Sequence, residues 1–117
     1  NPDLPSVADA LKTARIAREA NKRIVGVVVN RVRRKAHELT KREVEEMLDL
    51  PVLAEIPEDN NIRKSIAVKK PVIEFAPFSP ASIEIRRLAH TLCGIPFRQK
   101  EPFRFNIIEK LVSWMTR

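Results

Sequence analysis

Arg23–Ile24–Val25–Gly26–Val27–Val28–Val29–Asn30 is the stretch on which the fold turns. It is a nearly continuous β-branched run, and such runs suit a strand buried on both faces, as in a parallel sheet. Parallel strands are joined by crossovers, so helices are expected on either side of this run in the sequence. Upstream, Ser6 is placed to cap a helix running to about Asn21, with Val7, Leu11 and Ala14 on one face. Downstream comes a basic loop, Arg31, Arg33, Arg34 and Lys35. Thr40 and Glu43 then form a capping box that opens a helix through Leu48, ended by Pro51. Val52–Leu53–Ala54–Glu55–Ile56 reads as a second strand and Pro57–Glu58–Asp59 as a turn. Asp59 or Asn60 caps a short helix containing Ile62 and Ile66, and Pro71–Val72–Ile73 reads as a short extended piece. Ser79 before Pro80 is a good N-cap and N1 pair for a helix carrying Ile85, Leu88 and Leu92, which Gly94 stops. The alternation predicts a layered α/β fold. Two strands leave a sheet incomplete, so the chain is expected to be the latter part of a larger α/β domain.

Composition narrows the functional classes. With 117 residues, 44% of them hydrophobic and 32% charged, the chain suits one small soluble core rather than a disordered segment. Cys93 has no second cysteine to pair with, which fits a reducing, cytoplasmic setting. His37 and His90 lack metal-ligand spacing to each other or to Cys93, and no acid–base pair with a defined pocket stands out. No catalytic or metal-binding residue is therefore assigned. No signal-peptide pattern is visible, and the apolar runs fall far short of the ~20 residues of a spanning helix. A net charge of +7 attracts nucleic acid, acidic lipid or nucleotide, and a merely solvated basic surface gives the same number. The basic cluster after Asn30 has no aromatic interleaving and reads as a solvated loop.

Beyond Gly94 the character changes. Residues 95–105 read as a linker and residues 106–117 as a separate amphipathic helix. At ~100° per residue, Ile107, Ile108, Leu111, Val112, Trp114 and Met115 share an arc of roughly 160°. Asn106, Glu109, Lys110, Ser113, Thr116 and Arg117 fill the other side, and Phe103 and Phe105 precede the helix. Such a face suits an interfacial membrane helix, with Lys110 among the polar residues beside acidic head groups. Docking on the parent domain or on a partner protein gives the same pattern. One copy would bind weakly, and two copies in a dimer far more tightly through effective concentration.

Five segments, in order, resemble the MinD/ParA family of deviant Walker-A ATPases, and its MinD branch in particular. Asn1–Pro2–Asp3 followed by Ser6–Val7–Ala8–Asp9–Ala10 is similar to the family's Asn-Pro-Glu segment and the helix after it. Gly26–Val27–Val28–Val29–Asn30–Arg31 resembles the strand whose terminal Asn-Arg meets adenine. Ile56–Pro57–Glu58–Asp59 resembles the Ile-Pro-Glu-Asp turn that flanks the base. Lys70–Pro71–Val72–Ile73 is similar to a downstream segment, and Glu101–Pro102–Phe103–Arg104–Phe105 to the run before the MinD membrane-targeting helix.

The resemblance implies the C-terminal half of a Rossmann-like P-loop NTPase sheet in residues 1–94. It implies adenine contacts from Asn30, Arg31, Pro57, Glu58 and Asp59, and membrane contacts from Phe103, Phe105, Ile107, Ile108, Lys110, Leu111, Val112, Trp114 and Met115. Asp9 falls at a dimer or regulator surface. The complete parent would bind ATP and Mg²⁺, dimerise, meet an activator protein and sit peripherally on the inner face of the cell membrane. Its work would be placing the division site or other cargo. The chain has no Gly-x-x-x-x-Gly-Lys-Ser/Thr turn, so hydrolysis by the chain alone is not expected. Two other readings stay open: a ParA-type DNA-partitioning ATPase, against which the apolar tail argues, and a non-enzymatic interaction module.

Overall fold

A computed structural model describes residues 1–98 together with Val112, Trp114 and Met115. The chain divides into two compact units between Glu58 and Asp59.

The first unit begins with α1 (Leu4–Glu19). Its N-cap is Asp3, not Ser6: the Asp3 carboxylate accepts the Ser6 N–H at 2.8 Å. Pro5 tolerates the first turn because it gives up an N–H that has no helical partner there. Val7 and Ala14 are buried, and Leu11 packs beside them. Strand β1 (Val27–Val32) starts four residues later than the apolar run predicts, and pairs in parallel with β2 (Val52–Pro57). Between them lies α2 (Lys41–Leu48), so β1, α2 and β2 make a crossover unit. The Thr40–Glu43 capping box forms as expected, with Thr40 N–H on Glu43 Oε2 at 2.7 Å and Glu43 N–H on Thr40 Oγ1 at 3.2 Å. The helix stops at Asp49, which takes a left-handed φ of 53°, before Pro51 is reached. Glu45 then reaches back to accept the Val52 N–H at 3.0 Å, joining the helix to the start of β2.

Val7, Val29, Val32, Val44, Leu48 and Val52 form the core of this unit. Burial of β1 is one-sided: Val29 and Val32 are buried, whereas Val28 is exposed, as is Val25 just before the strand. The expectation of a strand covered on both faces is not met: among the described residues α1 and α2 pack with Val29 and Val32, and the face carrying Val28 is left open. Gly26 stands where the chain enters the sheet. A Cβ there would lie 2.6 Å from Leu53 Cγ and 2.8 Å from the Pro51 carbonyl oxygen, so no other residue fits without moving the pairing.

The second unit contains α3 (Asn60–Ala67), α4 (Val72–Phe75) and α5 (Pro80–Cys93). Residues 72–75 form one helical turn rather than the extended piece expected, with Phe75 N–H bonded to the Pro71 carbonyl at 3.0 Å. Proline at the N-cap is compatible with an extended approach and a helical departure, which is why the local sequence misleads. Ser79 caps α5 and Gly94 ends it at φ 67°, both as expected. Ser82 donates to the Val72 carbonyl at 3.1 Å and ties α5 to α4. The buried stripe of α5 is not Ile85, Leu88 and Leu92, which are half-buried, but Ala81, Ser82, Arg86, Ala89 and His90. Phe78 and Phe97 explain how a cation enters that stripe, their rings lying 5.5 and 5.9 Å from the Arg86 guanidinium. His90 Nδ1 stands 3.0 Å from the Pro96 carbonyl, and its ring meets Phe97 edge-on.

Of the expected tail helix, Val112, Trp114 and Met115 are helical and exposed. Phe103, Phe105, Ile107, Ile108, Lys110 and Leu111, and most of the expected 95–105 linker, lie outside the described residues. No helix among the described residues is long and apolar enough to cross a membrane.

Candidate functional site

Ligands of open α/β sheets bind beyond the carboxyl ends of the strands, and this chain has two such ends side by side. Val29 pairs with Glu55 and Val32 with Pro57, so β1 carries one more residue than β2 over this interval. The surplus is a bulge at Asn30 and Arg31. Arg31 takes a φ of 57°, and the Asn30 Oδ1 accepts its N–H at 2.9 Å. An Asn side chain can supply an acceptor that the broken ladder no longer gives, which is why Asn precedes the left-handed residue. Both side chains are exposed. The Asn30 amide keeps its NH₂ and one oxygen lone pair for a ligand.

The end of β2 is fastened to the same place. The Glu58 N–H donates to the Val32 carbonyl at 3.0 Å, carrying the ladder one step past Pro57. The loop after β1 folds back, and the Leu39 N–H bonds to the Pro2 carbonyl at 2.8 Å. Asn1, Pro2, Asp3, Arg31, Arg33, His37, Glu38 and Glu58 thereby line one cleft of about 190 Å³. Arg31 and Glu58, two expected site residues, meet in it, as does the Asn1–Pro2–Asp3 segment. Asn30 and Pro57 adjoin these residues in sequence but do not line the cleft. Asp9 lies apart, exposed on α1 with its carbonyl accepting the Thr13 hydroxyl at 3.2 Å.

The charges in the cleft are largely engaged. The Ser6 backbone N–H, and then its hydroxyl, hold the Asp3 carboxyl below the ordinary carboxylate value. Arg33 Nε lies 3.6 Å from both Glu38 Oε1 and Glu58 Oε2. Arg31 makes no ion pair among the described residues, leaving its guanidinium available to an incoming group.

Asp59, in the second unit, is used differently. Its carboxylate accepts the Asn61 N–H at 2.9 Å as the N-cap of α3, and the Ala81 N–H at 3.1 Å. Burial pulls this carboxyl upward, but the Asn61 and Ala81 N–H groups, with Ser79 and Asn61 side chains, outweigh it and hold it below its ordinary 3.8. The side chain is thus committed to joining α3 and α5.

Sequence reasoning missed Arg33 and Glu38. Glu38 sits just past a basic run, and only the folding back of residues 33–38 gives it partners. Among the described residues no group of three or more His, Cys, Asp or Glu is placed to hold a metal ion.

Known proteins share this fold. The family described as an AAA domain matches residues 1–65. An uncharacterized ATP-binding protein of Methanocaldococcus jannaschii is 34% identical over 116 residues, covering 95% of this chain and 44% of the relative. A putative septum site-determining protein MinD of Mesostigma viride is 32% identical over 97 residues, covering 80% of this chain and 34% of the relative. The solved structure of septum site-determining protein MinD from Pyrococcus horikoshii, complexed with Mg-ADP, superposes with a TM-score of 0.74 at 27% identity. It covers 79% of this chain and 38% of that one. The chain therefore spans less than half the length of the relatives it matches. Its parallel α/β fold is that of the MinD ATPases, and the chain belongs to the AAA-domain family within the MinD/ParA group of P-loop ATPases.

Proposed function

We propose that this chain forms the base-recognising part of a MinD-like ATPase, which binds Mg-ATP, dimerises and docks on an acidic membrane through residues 103–115. The observation that carries the reading is the pairing of the Asn30–Arg31 bulge with the Pro57–Glu58 turn at the carboxyl ends of two parallel strands. Adenine presents a donor at N6 beside an acceptor at N7, and the Asn30 amide is complementary to both. Arg31 covers or stacks on the ring. Pro57, Glu58 and Asp59 offer backbone groups to its edge, the Asp59 carboxylate being occupied with its helix cap. Bound ATP supplies the phosphates and the energy of the switch, and this chain's residues hold its base. The phosphates and Mg²⁺ are assigned to a Gly-rich turn elsewhere in the parent protein, since glycine occurs here only at positions 26 and 94.

For the membrane, the supporting features are the spacing of the apolar tail residues and the exposure of Val112, Trp114 and Met115. Burial of several large side chains contributes about 1.5–3 kcal/mol each, part of which offsets ordering of the helix. A monomer therefore binds reversibly, and an ATP-held dimer binds with both tails. Asp9, exposed on α1, falls to the dimer or regulator surface, where an activator protein would act. The setting is the cytoplasmic face of the cell membrane, and the task is placement of the division site or another cargo.

The test is co-sedimentation of the full-length protein with acidic liposomes as Mg-ATP is raised. Pelleting should rise with ATP, disappear on truncation after Gly94, and need about tenfold more ATP in Asn30→Ala. Pelleting that ignores ATP, or that survives the truncation, contradicts the proposal.

A further inference from the structure

Glu38 is the first acid after the basic run at the end of β1, and it is sequestered. Its side chain is 7% exposed, although the loop around it is open to solvent. Both of its oxygens lie 3.1 Å from the Arg33 N–H, and Oε2 also accepts the Arg34 N–H at 2.8 Å. Arg34 adopts a φ of 56°, which turns two successive N–H groups toward one point. That is the concavity in which backbones bind anions, here filled by the chain's own carboxylate. Glu38 therefore fixes the path of the backbone immediately beyond Val32.

From this fixed loop Arg33 extends across the strand ends. Its Nε lies 3.6 Å from Glu38 on one side and 3.6 Å from Glu58 on the other. Exposed ion pairs add little stability on their own. The bridge matters for where it is: it joins the segment following Asn30 and Arg31 to the turn containing Pro57 and Glu58. The Glu58–Val32 backbone bond and the Val32–Pro57 pairing tie the same two segments together.

We propose that Arg33 and Glu38 are positioning residues for base recognition, setting the separation between the Asn30–Arg31 edge and the Pro57–Glu58 turn. The proposal rests on the adenine reading of that site. Neither residue needs to touch the base. Adenine and guanine differ by exchange of the N6 donor for the O6 acceptor, so an edge held rigidly leaves the wrong base with unpaired groups. An edge free to shift accommodates both. Arg33 and Glu38 thereby contribute to the preference for one purine more than to the grip on the phosphates.

The experiment compares affinities of the full-length protein for ATP, GTP and inorganic tripolyphosphate, each with Mg²⁺, in wild type, Glu38→Gln and Arg33→Gln. Gln at position 38 points an amide at backbone N–H groups or loses one acceptor. The ATP-over-GTP preference should fall about tenfold in Glu38→Gln and about threefold in Arg33→Gln, with tripolyphosphate binding unchanged. Arg33→Lys, which keeps a cation between the two carboxylates, should recover most of the preference. An unchanged preference in both Gln variants overturns the proposal. So does a parallel loss of all three ligands, which marks a purely structural role. A wild-type protein with no preference for ATP refutes the adenine reading itself, and this inference with it.

Discussion

Helix α5 and strand β1 are both preceded and followed by strong sequence punctuation, yet they are delimited in different ways. In α5 the limits are local. Ser79 accepts the Ser82 N–H, Pro80 enters at the first turn, and Gly94 leaves in the left-handed region. In β1 the limits come from across the sheet: the Val27 N–H finds the Pro51 carbonyl at 2.8 Å, and Val32 meets the Glu58 N–H. Ile24 and Val25 are as β-prone as the valines that follow, but only from Val27 onward does the strand have a partner. A helix end is encoded within about four residues because its orphan N–H and C=O groups are satisfied nearby. A strand end depends on residues distant in sequence, and the candidate site lies at such an end.

One substitution made in both regions puts this contrast at risk. Gly26→Ala forces a Cβ to within 2.8 Å of the Pro51 carbonyl oxygen and should lower stability by about 1–3 kcal/mol, read from urea unfolding of the full-length protein. Gly94→Ala meets nothing within 4 Å and suffers only the strain of its φ, so about 1 kcal/mol is expected. Equal costs would mean that close packing at the entrance to β1 is not what limits it.

Asp59 sharpens the comparison, since it is a local cap that also holds a distant helix. Asp59→Ala should cost about 1 kcal/mol, as for an ordinary N-cap. Because the folded carboxyl titrates below its ordinary 3.8, its contribution is fully present above that value. It is lost as pH falls through the lower folded value. The difference in stability between wild type and variant should be flat above about pH 5 and shrink below 3.8. A difference that grows in acid would contradict the hydrogen-bonded assignment of Asp59.

The same distinction explains what could be read from the residues. The Thr40–Glu43 box, the Ser79–Pro80 start and the Gly94 stop were legible because each is a short-range hydrogen-bonding device. Ser6 is a competent cap, but Asp3 is equally competent and stands two residues before Pro5, so the helix begins sooner. Pro71–Ile73 reads as extended yet starts a helical turn, because proline's fixed φ serves both extended and helix-starting backbones. In α5 the apolar spacing suggested a Leu/Ile stripe, whereas Arg86 and His90 are buried under aromatic rings contributed from outside the helix. For the candidate site, the family resemblance points to Asn30, Arg31 and the Pro57–Glu58 turn, of which Arg31 and Glu58 line one cleft. The bulge that presents them, and the Glu38 carboxylate that steadies the loop, depend on register and chain reversal, which periodicity does not carry.

The most direct test is to follow the backbone amides of the full-length protein by NMR while ATP is added, with tripolyphosphate as the control. The adenine assignment predicts that ATP shifts the amides of Asn30, Arg31 and Glu58, and that tripolyphosphate leaves them in place. If ATP binds without moving these three, or tripolyphosphate moves them equally, the base is not held at the strand ends.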